Sequence, residues 1–359
     1  MSTRVYTLPV EQTRWELSSG STTVFNWEYD EGRDKLLSLY EKGKRLQWNA
    51  NERIDWSLEL DPGNPLGSPE EYVPIYGSQM WDRLGEEERG ELARNMVGWQ
   101  FSQFLHGEQG ALICAAKIVQ TVPDIDSKFY AATQVIDEAR HVEAYSRFLH
   151  EKVKVAYPIN PHLKALLDDV ITDSRWDMTY LGMQVLIEGL ALAAFGLIRD
   201  VATDPLGRSI VASVMQDEAR HVAFGRLSLR DYYPQLTTKE RDEREEFCVQ
   251  ACYLMRDRFL AEEMWGHMGF DVDECVKYVR ESESQKLFRS LLFTRIVPML
   301  KDIGLWGPRI HNAFADMGVM GYEVIDLDAI MAEDEARADQ IDAERIRQVD
   351  TTIGVGAVA

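Results

Sequence analysis

The hexapeptide Asp-Glu-Ala-Arg-His-Val occurs twice, at residues 137–142 and 217–222. Thirty residues before the glutamate of each copy stands another glutamate in an apolar stretch, Glu108 before Glu138 and Glu188 before Glu218. The set therefore repeats at an offset of 80 residues. Glu, then Glu-x-x-His, then Glu, then Glu-x-x-His is a ligand set for two metal ions held between four helices. Residues three and four apart share a helix face, so Glu138 projects with His141, and Glu218 with His221.

The faces that carry these groups are apolar. Phe104, Leu105, Ala111 and Leu112 lie one turn from Glu108, and Gln184, Val185, Ala191 and Leu192 one turn from Glu188. Val214, Met215 and Val222 surround Glu218, while Val135 and Val142 flank Glu138. No Lys or Arg lies one turn away on the same stripe. Buried carboxylates are costly unless compensated, and four of them facing one interior require a cation among them. Two divalent ions bring four positive charges against four carboxylates and leave the imidazoles neutral. A single Asp-Glu-x-Arg-His run reads equally well as a solvated face with local ion pairs. That reading does not account for two copies, two matched upstream glutamates and apolar flanks at all four.

Four helices must position these groups, and the sequence marks them. A helical pattern runs from about Glu86 to Gln120 and stops before Pro123; a second runs from about Ile125 to Val155 and stops before Pro158. Pro161 opens a third segment to about Thr203, with a break expected near 173–176. Asp204 as cap and Pro205 at the first helical position start the fourth, which ends near Tyr233-Pro234. A helix is also expected from about Gly32 to Asn49, with further helices at about 238–268 and 273–297, and a Pro/Gly-dense loop at 61–74. The expected organisation is an N-terminal extension (1–85), a metal-binding core (86–233), additional C-terminal helices (234–330) and an acidic, flexible tail (331–359). The predicted class is all-α: a four-helix bundle core with flanking helices.

A length of 359 residues, 45% of them hydrophobic and 28% charged, provides for a large buried core in an ordinary globular chain. The net charge of −21 argues against nucleic acid and anionic membrane as partners. Cys114, Cys248, Cys252 and Cys275 form no Cys-x-x-Cys pair, which points to a reducing compartment and no iron–sulfur cluster. The start of the sequence has no apolar signal region, and the uncharged apolar stretch 189–198 is too short to cross a bilayer. The expected location is cytoplasmic.

With its paired Asp-Glu-x-Arg-His motifs and their upstream glutamates, the chain resembles the oxygen-activating branch of the ferritin-like di-iron carboxylate superfamily. That branch holds monooxygenase hydroxylases, arylamine N-oxygenases and ribonucleotide reductase small subunits. The resemblance covers roughly Glu86 to Tyr233. It implies two iron ions, or manganese and iron, on Glu108, Glu138, His141, Glu188, Glu218 and His221. It also implies that Asp137 accepts from His221 and Asp217 from His141, with Arg140 and Arg220 steadying the aspartates. The alternative for each aspartate is an i,i+3 pair with its own motif's arginine. Three positions divide the branch. The hydroxylases place a threonine four residues after the third-helix glutamate, where this chain has Leu192. Arylamine N-oxygenases place a third histidine four residues before the last glutamate, where this chain has Val214. The reductase subunits place a radical-forming tyrosine four residues after the first histidine, where this chain has Tyr145, as a radical or relay residue or as packing.

Three functions follow from the resemblance. One is an oxygenase that uses O2 to hydroxylate or N-oxygenate a small organic substrate. Ala111, Ala115 and Ala191 either leave room for that substrate or only permit close helix packing, while Leu192 and Phe195 narrow any such space. Without a flavin-type glycine motif or cluster cysteines, the chain needs an external electron-donor protein. The second is a radical-generating oxidase using Tyr145, and the third is iron storage, which does not require so many residues outside the bundle. A homodimer is implied by resemblance alone. His106, His150, His162 and His311 lack a ligand-like setting, His267 has Glu263 one turn before it, which reads as a local hydrogen bond, and Trp15, Trp27, Trp48, Trp56, Trp81 and Trp99 are expected in core and cover, with an electron-transfer role open to one of them.

Overall fold

The computed structural model describes residues 15–25, 29, 32–337, 339–340 and 343. Trp27 and the small-residue run at 354–359 lie outside the described residues. Four long helices form the centre: α2 (Glu86–Thr121), α3 (Ile125–Arg147), α5 (Trp176–Val201) and α6 (Pro205–Tyr232). Three others flank them: α1 (Asp34–Arg45), α4 (Pro161–Thr172) and α7 (Thr238–Asp257). Among the described residues there is no β-strand, and the all-α class expected from the sequence holds.

Local chemistry sets the helix ends. Glu88 accepts the Gly85 N–H at 2.8 Å, and three glutamates fill the first turn of α2, where the helix dipole favours them. Asp124 caps α3 through the Ser127 N–H at 2.8 Å, and Asp204 caps α6 through that of Gly207 at 2.7 Å. Asn160 and Asp204 each precede a proline at the first helical turn. The break expected near 173–176 is present: Asp173 and Arg175 are extended, and α5 restarts at Trp176.

Within α5, residues Leu181–Ile187 are a π-helix that hands over to α-helix at Glu188. Such widenings are rare and concentrate at functional sites. The uncharged stretch 189–198 lies within α5, which as a whole is long and apolar enough to cross a membrane by length and composition; its most apolar window is 89% buried inside the protein. The apolar surface of α5 is spent on the bundle core.

Several boundaries move inward. The helix expected at about 32–49 is Asp34–Arg45, and α3 ends at Arg147, with a π-turn Phe148–Val153 completing its expected length. The expected 238–268 helix is interrupted by the turn Arg258–Leu260 and by Ala261 at φ 55°. The expected 273–297 helix divides at Ser282 and again before Ile296. The acidic segment, expected to be flexible from Met331, is helical over 327–337, and Asp334 is buried there against Arg295 and Arg199. One apolar core runs from Leu36 through the bundle to Leu327.

Candidate metal centre

Each central helix delivers its carboxylate to the same interior point. Glu108 comes from α2, Glu138 and His141 from α3, Glu188 from α5, and Glu218 and His221 from α6; all six are buried. Ligand atoms of Glu108, Glu138, His141 and Glu218 lie within 4.8 Å of one another, and so do those of Glu138, Glu188 and His221. Glu138 belongs to both groups, so the two sets share a carboxylate. His141 Nδ1 is 3.2 Å from Glu108 Oε2 and 3.2 Å from Glu218 Oε1. His221 Nδ1 is 3.1 Å from Glu138 Oε1.

The far side of each imidazole is fixed by an aspartate of the opposite motif. His141 Nε2 lies 3.0 Å from Asp217 Oδ2, and His221 Nε2 lies 3.2 Å from Asp137 Oδ2. Both pairings named for the aspartates are made at once, because Arg140 Nη2 donates to Asp137 Oδ1 at 2.5 Å and to Asp217 Oδ2 at 2.8 Å. Arg220 donates to Asp217 and stands 3.6 Å from Asp137. Against its own burial, contacts with His141, Arg220 and Arg140 hold the Asp217 carboxyl well below the usual range. An ionised aspartate only accepts, so it fixes the proton on Nε2 of a neutral imidazole and turns the Nδ1 lone pair inward.

Residues outside the motifs complete this frame. Trp48 Nε1 donates to Asp217 Oδ2 at 2.8 Å, and its ring lies under the Arg140 guanidinium at 4.6 Å. Gln47 Nε2 donates to Asp137 Oδ1 at 2.8 Å and its carbonyl accepts from Arg140 at 2.7 Å. Gln134 Nε2 donates to Glu138 at 2.9 Å and Glu188 at 3.0 Å, joining α3 to α5. Gln134 stands four residues before Glu138, a spacing that could have singled it out; nothing in the sequence links residues 47 and 48 to a motif 90 or 169 positions away.

Several of the inward atoms make no hydrogen bond. Glu138 Oε2, Glu188 Oε2, both oxygens of Glu218 and His221 Nδ1 are buried without a hydrogen bond. Such groups are rarely left unmatched in a protein interior. Carboxylate oxygens and imidazole nitrogens in this number are the donor set of divalent iron or manganese, so the residues fit a dinuclear centre. Without metal, burial and the neighbouring Glu218 raise the Glu108 and Glu188 carboxyls well above their usual range. Protons then do part of the work of cations.

A cavity of about 20 Å³, room for one water molecule, opens beside Glu108, Glu188 and Glu218. Ala111, Ala191 and Phe195 line it, whereas Ala115 and Leu192 do not. Leu192 and Val214 are fully buried and carry no ligand atom. Tyr145 is fully buried with its hydroxyl unpartnered, 5.7 Å from the ring of Phe101 and 6.2 Å from that of Phe195. Burial, then Glu108 and Glu218, raise its pKa well above the ordinary phenol. The other histidines sit elsewhere: His106 meets the Tyr157 carbonyl, His267 the Tyr157 ring and His311 the Trp306 ring. Glu263, one turn before His267, is taken by Trp99 and Asn160. All four cysteines are buried thiols.

Residues 30–304 match the family model described as p-aminobenzoate N-oxygenase AurF. No curated protein matches the chain. Among solved structures, a mutant R2-like ligand-binding oxidase with an anaerobically reconstituted Mn/Fe cofactor is similar over 77% of this chain and 96% of that one. Its sequence identity is 20% and its TM-score 0.47, a likeness too distant to carry an argument.

Proposed function

The chain belongs to the p-aminobenzoate N-oxygenase AurF family, a family of ferritin-like di-iron oxidoreductases, and from that membership and the geometry of the centre we propose an O2-dependent oxygenase acting on a small organic substrate. Oxidation of an aromatic amine nitrogen is the reaction favoured by the family, with C–H hydroxylation as the other reaction of such centres. Glu108, Glu138, His141, Glu188, Glu218 and His221 would hold the two metal ions, Fe/Fe or Mn/Fe. When bound, the ions supply the reducing electrons and the coordination positions at which O2 is activated.

The chain's own residues do the rest. Four carboxylates match the charge of two divalent ions, and Gln134 ties Glu138 to Glu188 so that both keep a free oxygen. Asp137 and Asp217 hold the imidazoles in one tautomer. Phe104, Phe195 and Ile187 keep bulk water from the cavity beside the carboxylates. Electrons come from an external donor protein, the active assembly is a homodimer and the setting is cytoplasmic.

The observation that carries the reading is the set of unpartnered ligand atoms converging from four helices. Its test is elemental analysis after anaerobic ferrous loading and desalting, on the wild type beside Glu188→Ala. Two irons per wild-type chain and a clear loss in the variant are expected, followed by O2-dependent conversion of an arylamine without mineral formation. A helical chain that retains no metal would overturn the reading.

A further inference from the structure

The two helices that bring Glu108, Glu138 and His141 to the interior are apolar on their outer faces as well. On α2, Gln109, Ile113, Ala116 and Gln120 are exposed, at spacings of four, three and four residues. On α3, Phe129, Ala132, Ile136, Ala139 and Glu143 are exposed, at spacings of three, four, three and four. Ile113 is 45% exposed, Phe129 39% and Ile136 57%. Within 109–120 and 125–142 the one charged side chain that is not buried is Lys128, and its ammonium is turned onto the end of α2, donating to the Val119 and Gln120 carbonyls at 2.8 and 3.5 Å. The outer face of α7 is of the ordinary kind, exposing Lys239, Asp242, Glu243 and Glu246.

Alternating steps of three and four residues keep a stripe on one side of a helix, the pattern by which one helix packs along another. The alanines at 116, 132 and 139 let a facing helix come close. Within the chain the stripes are met at their edges, where Tyr40 of α1 stacks on Phe129 at 5.6 Å and Gln120 donates to Thr23 at 2.7 Å. Ile125 to Val142 spans about 25 Å, and two packed helices are about 20 Å wide, so the face offers on the order of 500 Å² per copy. An exposed apolar area of that size marks a contact surface. Two such faces together bury on the order of 1,000 Å², enough for a specific interface. Charge selects the partner. At a net −21, two copies repel over most of their surfaces and least where neither carries a charge. A twofold contact also requires a patch that complements itself, which an uncharged stripe does.

We propose that the outer face of α2 and α3 is the docking surface for a second copy of the chain, the two hairpins packing across a twofold axis with Ile113 and Ile136 in the contact. This gives the homodimer stated above its surface, and it is independent of the reaction read for the metal centre. All six candidate ligands come from one chain, so the second copy adds none. Its effect is on the supports. Gln109 adjoins Glu108 and Ala139 adjoins Glu138, so a helix pair clamped on its outer face holds the carboxylates on its inner face more firmly.

The test is analytical ultracentrifugation of the full-length protein, wild type beside Ile136→Glu, Ala132→Glu and Leu287→Glu. Wild type should sediment at twice 41.2 kDa. Residues 132 and 136 are exposed in a single copy, so a glutamate there leaves the fold in place. In the dimer it sets like charges inside a desolvated contact, and each variant should raise the dissociation constant at least about a hundredfold. Helical circular dichroism should be unchanged in both, and if Ile136→Glu loses helix, Ala132→Glu decides alone. Leu287 is 59% exposed and lies outside the face, so Leu287→Glu should remain a dimer. A monomeric wild type overturns the proposal together with the homodimer and leaves the oxygenase reading untouched. A dimer that survives both stripe variants also overturns it, because the copies then meet elsewhere and the face belongs to a partner of another kind. Equal dissociation in Leu287→Glu overturns it as well, since added charge alone would then separate the copies.

Discussion

Asp217 Oδ2 accepts from Trp48, Arg140 and His141 at 2.8, 2.8 and 3.0 Å, so one oxygen decides how an imidazole is turned. Replacing it with the isosteric amide, Asp217→Asn, puts an N–H donor or a weaker acceptor at that point. Iron affinity should fall roughly tenfold to a hundredfold, the usual consequence of altering the partner of a ligating histidine. Competition with a ferrous chelator measures it, and unchanged affinity would show that His141 is not held for a metal. Tyr145 makes the opposite kind of prediction. Its buried hydroxyl has no partner, so Tyr145→Phe should leave the metal-free protein as stable or about 1 kcal/mol more stable in urea unfolding. A clear loss of stability would mean that the hydroxyl is satisfied in a way the structure does not contain. If the residue instead serves as a radical site, an electron spin resonance signal will appear in the wild type after iron and O2 and vanish in the variant. At this scale the spacing of glutamates and histidines was legible because the ligands lie within single helices. Gln47 and Trp48 were not, because their meaning comes from contacts across the fold.

At the scale of elements, the 80-residue repeat gives the centre an approximate internal symmetry, with Glu108, Glu138 and His141 answering Glu188, Glu218 and His221. The same offset pairs Tyr145 with Gly225 and Gln134 with Val214, and there the symmetry fails. Gly225 is needed because a side chain on it would reach within 2.5 Å of Gln184 Cβ and 3.6 Å of its Cα, on the π-segment. Gln184 in turn donates to Gln134 at 3.4 Å. Gly225→Ala must push the π-segment away from α6, at a cost of about 1–3 kcal/mol for overpacking, and should loosen iron binding through Gln134 and Glu188. Guanidinium unfolding and iron retention of the variant check both effects, and a fully stable, fully loaded Gly225→Ala protein would show that this contact is soft. The central helices were readable from Pro123, Pro158, Pro161 and Pro205 and from apolar spacing. The interruption at Arg258–Ala261 was not, since no proline or glycine marks it and Ala261 is held left-handed by its surroundings.

For the whole molecule, the interior collects protons when metal is absent. Burial, then Glu218, raise Glu108 and Glu188. His141 and His221 are raised too: burial opposes, but Glu108 and Asp217 around His141, and Glu138 and Glu218 around His221, outweigh it. Each of these groups has a higher pKa folded than unfolded. Its contribution to stability is complete below the unfolded value, about 4.3 for Glu and 6.5 for His, and is lost as pH rises through the folded value. Glu138 and Asp217 are lowered, so their contribution is present above the unfolded carboxylate range and is lost only in acid. Between about pH 6 and pH 8 the four raised groups act against His106, whose pKa burial lowers and whose contribution grows as pH rises, and the metal-free protein should lose stability on balance as pH rises. Metal ions displace those protons and remove the dependence. The gain in Tm on iron loading should therefore be larger at about pH 8 than at about pH 6, read by anaerobic differential scanning calorimetry of both forms. Equal gains at the two pH values would mean that iron binds somewhere other than this proton-holding cluster, even if the chain carries two ions.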